Sequence, residues 1–332
     1  MRSYVGMLLV GCGLAVPLHA GPATTPAPVR PVSTYSIVAR DSSTGELGIA
    51  VQSHWFSVGA VVPWAASGVG AVATQSFVEV SYGPLGLEAM RRGLTAAEAL
   101  RELVGKDDHA DVRQVAFVDA TGRASAHTGS SCIPGAGHRT GDGYSVQANL
   151  MLTDDVPQVM AAAYEKSSGP LAERLLATLE AAQNAGGDIR GRQSAALLVV
   201  RGAPSDKPWT DRLVDLRVED HHRPLEELRR LLHLHRAYEL MNEGDEAVAR
   251  GEMELALARY ASAEEMFPHN DEFIFWHGVT LVTNDRVDES LALFDRAFRM
   301  NPSWKLLVPR LVEKGHLPKT TEVVDRILAV GP

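Results

Sequence analysis

Cysteine is almost missing from this 332-residue sequence: there are two, Cys12 and Cys132. Cys12 falls in an apolar N-terminal stretch, which leaves the remainder one thiol and no internal disulfide, so packing must hold the fold. Positive charge is also short. Lys and Arg number 32 against 41 Asp and Glu, a net charge of −9, with no basic run. That balance excludes a protein whose affinity comes from neutralising phosphates, so no nucleic-acid partner is expected. No later apolar run rivals the N-terminal one, and no transmembrane helix is expected in the mature chain. No phosphate loop, dinucleotide GxGxxG or serine-hydrolase GxSxG occurs, which disfavours nucleotide-dependent chemistry.

What is present begins with Arg2 and an apolar stretch, Val5 to Leu18, closing at Leu18-His19-Ala20. A charged start, a short apolar middle and a small residue at the cut read as a secretory signal over 1–20. Export to the periplasm or the medium follows, with a lipid anchor on Cys12 as the alternative. Residues 21–33 contain four prolines and few core formers, and read as a flexible leader.

From Thr34 to about Asp220 the pattern is mixed. β-branched runs at 35–39, 47–52, 69–75, 115–118, 145–149 and 195–200 predict strands. Asp41-Ser42-Ser43-Thr44-Gly45 and Asp119-Ala120-Thr121-Gly122 predict hairpin loops. Thr95-Ala96-Ala97-Glu98 is a capping box that starts a helix. Leu171, Leu175, Leu179 and Ala182 form one stripe of a second helix, which stops at Gly186-Gly187. Hairpins, grouped helices, then further hairpins predict an α+β layered sheet structure with helices outside.

Beyond residue 221 the strands vanish. Pro224 to Met241 predict one amphipathic helix, with proline at the first turn. A 34-residue period follows: Gly244 and Gly278, Leu257 and Leu291, Tyr260 and Phe294, Ala263 and Ala297, and Pro268 and Pro302 correspond. This spacing resembles the tetratricopeptide pattern, giving an all-α domain over 221–332.

Several motifs together, Thr34-Tyr-Ser-Ile-Val-Ala-Arg-Asp41, Gly48 to Trp55, Gly68 to Gln75, His127 to Gly129, Ala136 to Gly141 and Gly186 to Ser194, are similar to the domain of unknown function 1028 family. That family is grouped with the N-terminal-nucleophile (Ntn) hydrolases, and the resemblance covers about 34–220. It implies a four-layer α-β-β-α sandwich, no cofactor, and a tendency to pair as homodimers. The helical extension resembles one that some members carry, sometimes labelled peptidoglycan-binding.

The resemblance directs attention to Thr34. In an Ntn enzyme the first residue of the processed chain attacks an amide while its own α-amine takes the proton. Here thirteen residues, 21–33, would still precede Thr34 after signal removal, so a second cut is required. Otherwise Thr34 merely begins a strand. Thr74, Gln75 and Asn149, at strand ends, are candidate oxyanion donors or ordinary strand-end partners. Asp188, Arg190 and Arg192 occupy a glycine-flanked loop, where the arginines either clamp a substrate carboxylate or form a solvated ion-pair loop. His54 follows a strand beside Trp55 and Phe56, as a proton shuttle or a backbone-bonded histidine. Cys132 lies between His127 and His138 in a glycine-rich loop, as a Cys–His nucleophile pair or a buried structural thiol, and without a CxxC pair no metal is expected. Two functions are compatible with the whole: an exported amide hydrolase of unknown amide or peptide substrate, or a silent module whose repeats grip a peptide, a partner protein or peptidoglycan.

Overall fold

The structure is a computed structural model that describes Val32 and residues 34–332. The signal and nearly all of the leader lie outside the described residues. The strands are β1 (Thr34–Arg40), β2 (Leu47–Ser53), β3 (Pro63–Ala66), β4 (Gly70–Ser76), β5 (Arg113–Asp119), β6 (Ala124–Thr128), β7 (Gly137–Gly141), β8 (Tyr144–Ala148), β9 (Ser194–Val200) and β10 (Arg212–Val218). The helices are α1 (Tyr82–Arg91), α2 (Ala96–Val104), α3 (Val156–Lys166), α4 (Leu171–Asn184), α5 (Pro224–Ala249), α6 (Met253–Met266), α7 (Asp271–Thr283), α8 (Val287–Met300), α9 (Ser303–Lys314) and α10 (Thr321–Ala329).

Six strands form one sheet in the order β10-β9-β2-β1-β8-β7, and four form another, β3-β4-β5-β6. All neighbours are antiparallel. The pleat explains the layering, because alternate residues of a strand face opposite sides. On β1, Tyr35, Ile37 and Ala39 pack with α3 and α4 residues such as Met160 and Leu175. Val38 faces the other way and joins Ile49, Ala73, Ala116 and Leu198 between the sheets. On β5, Phe117 packs with Leu87 and Met90 of α1 and Leu100 of α2. Helices, sheet, sheet and helices thus stack in four layers.

The expected hairpin loops and both helix signals are present, including reciprocal bonds between Thr95 and Glu98 at the start of α2. At the first hairpin, Asp41 accepts from the backbone N–H groups of Ser43 and Thr44, both at 2.9 Å, and from Arg174 Nη1 at 3.0 Å. Burial opposes its charge, but the bonds from Ser43 and Thr44 and the Arg174 guanidinium prevail and hold the carboxyl at about 2.

One expectation needs correction. The helix predicted for 224–241 runs on to Ala249 and absorbs the first helix of the repeat. Gly244, which locally disfavours a helix, is paid back by closeness: a Cβ there would lie 2.4 Å from Tyr260 Cε1, so only glycine lets α6 approach. Gly278 stands against Phe294 in the same way, with 3.3 Å to Cζ. The beginning of α5 belongs to the sandwich, since Leu225, Leu228 and Leu232 share the core beneath α4. Its far end, from Ala237 to Ala247, packs with Tyr260 and Ala263 of α6. Among the described residues no helix is long and apolar enough to cross a membrane.

Two outcomes are expected. Gly244→Ala loses about 1–3 kcal/mol to crowding, more than the roughly 1 kcal/mol an interior alanine returns, whereas Gly278→Ala stays near neutral; urea melts of the full chain check the difference. Asp41 is ionised more easily folded than unfolded, so it contributes stability above pH ~4 that is lost as the pH falls towards 2. The stability gap between wild type and Asp41→Asn, followed by melting at several pH values, closes over that range.

Candidate active site

The space between the sheets changes character at one end. β1 passes from Val38 to Ser36 and Thr34, β4 from Ala73 to Gln75, β5 from Ala116 to Gln114, and β2 from Val51 to Ser53. β8 faces the same space with Ser145 and Gln147, and Asn149 follows directly. Register brings these ends together, pairing Thr34 with Ser53, Ser36 with Gln147, and Gln75 with Gln114. Thr34, Ser36, Gln75, Gln114, Gln147 and Asn149 are all buried.

A buried amide must find partners or lose a few kcal/mol, and here the amides satisfy one another. Ser36 Oγ donates to Gln75 Oε1 at 2.6 Å, and Gln147 Nε2 donates to Ser36 Oγ at 2.6 Å. Gln75 Nε2 and Asn149 Nδ2 donate to Gln114 Oε1 at 2.7 and 2.9 Å. Both also reach the Thr34 carbonyl, at 3.2 and 3.5 Å. Gln114 Nε2 in turn donates to Thr128 Oγ1 and the Ala148 carbonyl, each at 2.9 Å. Gln114 is the hub, and no motif in the sequence marks it.

The Thr34 hydroxyl donates to the Val32 carbonyl at 2.7 Å and lies 3.2 Å from Ser53 Oγ. Val32 is 1% exposed and joins the apolar residues between the sheets. Its N–H donates to the Ser76 carbonyl at 2.6 Å, and its carbonyl accepts from the Ser76 N–H at 3.0 Å. Ser76 has φ +69°, an uncommon backbone for a non-glycine residue, at the point where β4 ends.

Most of the other expected residues have partners of their own. Thr74 is one pleat position from Gln75, so its hydroxyl faces away from Thr34 and donates to the Glu79 carbonyl at 3.0 Å. His54 is exposed, and its backbone N–H donates to Asp188 Oδ2 at 3.1 Å. Asp188 is buried and also holds Arg190, accepting from its backbone N–H at 2.9 Å and from Nη2 at 2.8 Å. Arg190 is thereby folded onto its own loop. Arg192 lines a cavity of about 270 Å³ with Gln183 and Arg223, between α4 and the start of α5. The two arginines thus have different surroundings, Arg190 held by Asp188 and Arg192 lining that cavity.

Cys132 and its histidines do not form a relay. Cys132 Sγ donates to the Arg113 carbonyl at 3.4 Å, and burial pushes its thiol up, away from the thiolate. His127 bonds the Ala110 carbonyl, and His138 bonds Thr128 Oγ1. Burial lowers the pKa of His138. Among the described residues no group of His, Cys, Asp and Glu is arranged to hold a metal.

Residues 34–228 match the model of a family of unknown function, DUF1028. The chain belongs to that family. A DUF1028 protein from Silicibacter pomeroyi, known from a crystal structure, is 30% identical, with a TM-score of 0.54 over 60% of this chain and 84% of that one. Anbu, an ancestral β-subunit from Yersinia bercovieri, is a distant likeness at 11% identity and a TM-score of 0.31, over 59% of this chain and 92% of that one. No curated protein matches the chain. The family match runs past Asp220 to Leu228, whose side chain is fully buried in the sandwich core.

Removing the hub exposes how much the amides depend on it. Gln114→Leu leaves the Gln75 and Asn149 amides without their shared acceptor, and a loss of about 2 kcal/mol or more is expected in urea unfolding.

Proposed function

We propose that the chain is an amide hydrolase of the N-terminal-nucleophile type, latent until it is cut between Ser33 and Thr34. The observation that carries this reading is the neutrality of Thr34's surroundings. Its hydroxyl bonds a carbonyl and meets another hydroxyl, neither of which can take a proton at neutral pH. A base is needed, and cutting before Thr34 creates one, an α-amine that ordinarily titrates near 7.7–8. The hydroxyl then attacks the substrate carbonyl, the amine takes the hydroxyl proton and passes it to the leaving nitrogen, and water hydrolyses the resulting ester. Gln75 and Asn149 hold the main chain of the nucleophile, an assignment supported by their bonds to its carbonyl.

The strand edge used by Val32 suits the substrate. Once the leader leaves, the N–H and carbonyl of Ser76 are free to pair with an extended amide, and the apolar position of Val32 is free for a small side chain. We read the far end of α5 with α6, and α7 with α8, as tetratricopeptide-like repeats that recruit a partner, in a protein exported to the periplasm or medium.

A second reading has its own support. The Val32–Ser76 pairing covers Thr34, as a permanent scaffold would, and the helices alone would then carry function as a binding module.

N-terminal sequencing of protein from its native compartment is expected to yield threonine first. For the chain begun at Thr34, kcat/KM on responsive amide substrates rises as the pH passes ~7.7–8. Thr34→Ala lowers turnover about a thousandfold or more without changing the melt. A mature chain that keeps Val32 and hydrolyses no amide establishes the scaffold instead.

A further inference from the structure

From Pro224 onward the chain carries 19 acidic against 13 Lys and Arg side chains, and most of these carboxylates are answered locally. Glu243 meets Arg236 and Arg259, Glu264 meets Arg296, and Glu289 meets Arg286. Among the carboxylates left without a cation, two face the same cleft. Between α5 and α7 lies a cleft of about 400 Å³. α5 presents Tyr238, Asn242 and Asp245 to it, and α7 presents Glu272, Trp276 and Thr280, each set at helical spacing on one face.

Two features of the cleft are unusual for this region. Tyr238 and Trp276 are 38% and 37% exposed, whereas Tyr260, Phe273, Phe275, Phe294 and Phe298 are buried. Asp245 and Glu272 have no cationic partner among the described residues. Each is instead held by a phenol: Tyr238 Oη donates to Glu272 Oε2 at 2.7 Å, and Tyr260 Oη to Asp245 Oδ1 at 2.8 Å. The aromatic surfaces are thus left open beside charges that are positioned but not neutralised.

We propose that this cleft binds a lysine or arginine side chain carried by a basic segment of a partner protein. An aromatic face and a carboxylate attract a cation together, and the alkyl stem of either residue covers the exposed ring. Like charge excludes an acidic segment. A peptide fits better than a lone amine, because Glu272 also borders a second cavity, of about 690 Å³, lined by Leu234, Phe267 and Trp304 and by Arg230, whose charge Glu227 answers. An extended segment can run from one into the other. The proposal rests on the recruitment reading of the helices but not on Thr34, so the two fail separately.

The test uses the full chain and a short fluorescein-labelled peptide of lysine and arginine spaced by glycine and alanine, followed by anisotropy at physiological salt. The peptide is expected to bind. Asp245→Asn with Glu272→Gln, and separately Trp276→Ala, weaken it about tenfold or more. Glu322→Gln with Asp325→Asn, an equal loss of charge outside the cleft, leaves affinity unchanged, and an aspartate–glutamate peptide does not bind. Absence of binding overturns the proposal, as does equal binding by the cleft variants with an intact fold, or equal binding of the acidic peptide. A chain that binds the basic peptide but is never cut at Thr34 supports this site while rejecting the hydrolase.

Discussion

Everything at the candidate site depends on one carbonyl oxygen, that of the Gln114 side chain. It sits between the sheets, where water is excluded, and collects the amide protons of Gln75 and Asn149. Those amides in turn hold the Thr34 carbonyl. The arrangement is costly if one member is missing and rigid if all are present, which suits a position that must keep its geometry without charged groups. An apolar filling at this end would hold the sheets together equally well but could orient nothing.

The sequence makes β1, β2, β4, β5, β8 and β9 legible because they are buried on both faces and read as β-branched runs, whereas the part-exposed β3, β6, β7 and β10 carry no such run. It makes Thr34, Gln75 and Asn149 visible because they stand where those runs end. It hides Gln114, since a glutamine at the start of a strand looks like a solvent-facing residue until the second sheet is laid over it. The separation of Thr74 from Gln75 follows from the pleat, but only once the strand's outer face is known to meet helices. The different surroundings of Arg190 and Arg192 are illegible for another reason. Asp188 is close enough in sequence to pair with either arginine, and the fold of the glycine-flanked loop decides which.

The helical region shows the same division. Its 34-residue period is plain in the sequence, and the glycine–aromatic contacts at Gly244 and Gly278 repeat it in space. The fusion of the leading helix with the first repeat helix is not plain, because a local propensity argues for a break and a tertiary contact removes it. Charge is equally deceptive. Counting acids and bases gives a mildly acidic surface, yet only the pairing shows that Asp245 and Glu272, beside two open rings, have no cationic partner among the described residues.

The unbroken course of α5 has a consequence for how this protein divides. Its leucines roof the six-stranded sheet near β9 while its other end seats the repeats, so no clean seam exists at the last strand. A relative ending at β10 would bare an oily strip over its sheet and would have to shield it by other means, such as a mate or a substitute helix. The sandwich core therefore extends further along the chain than its strands, to Leu232.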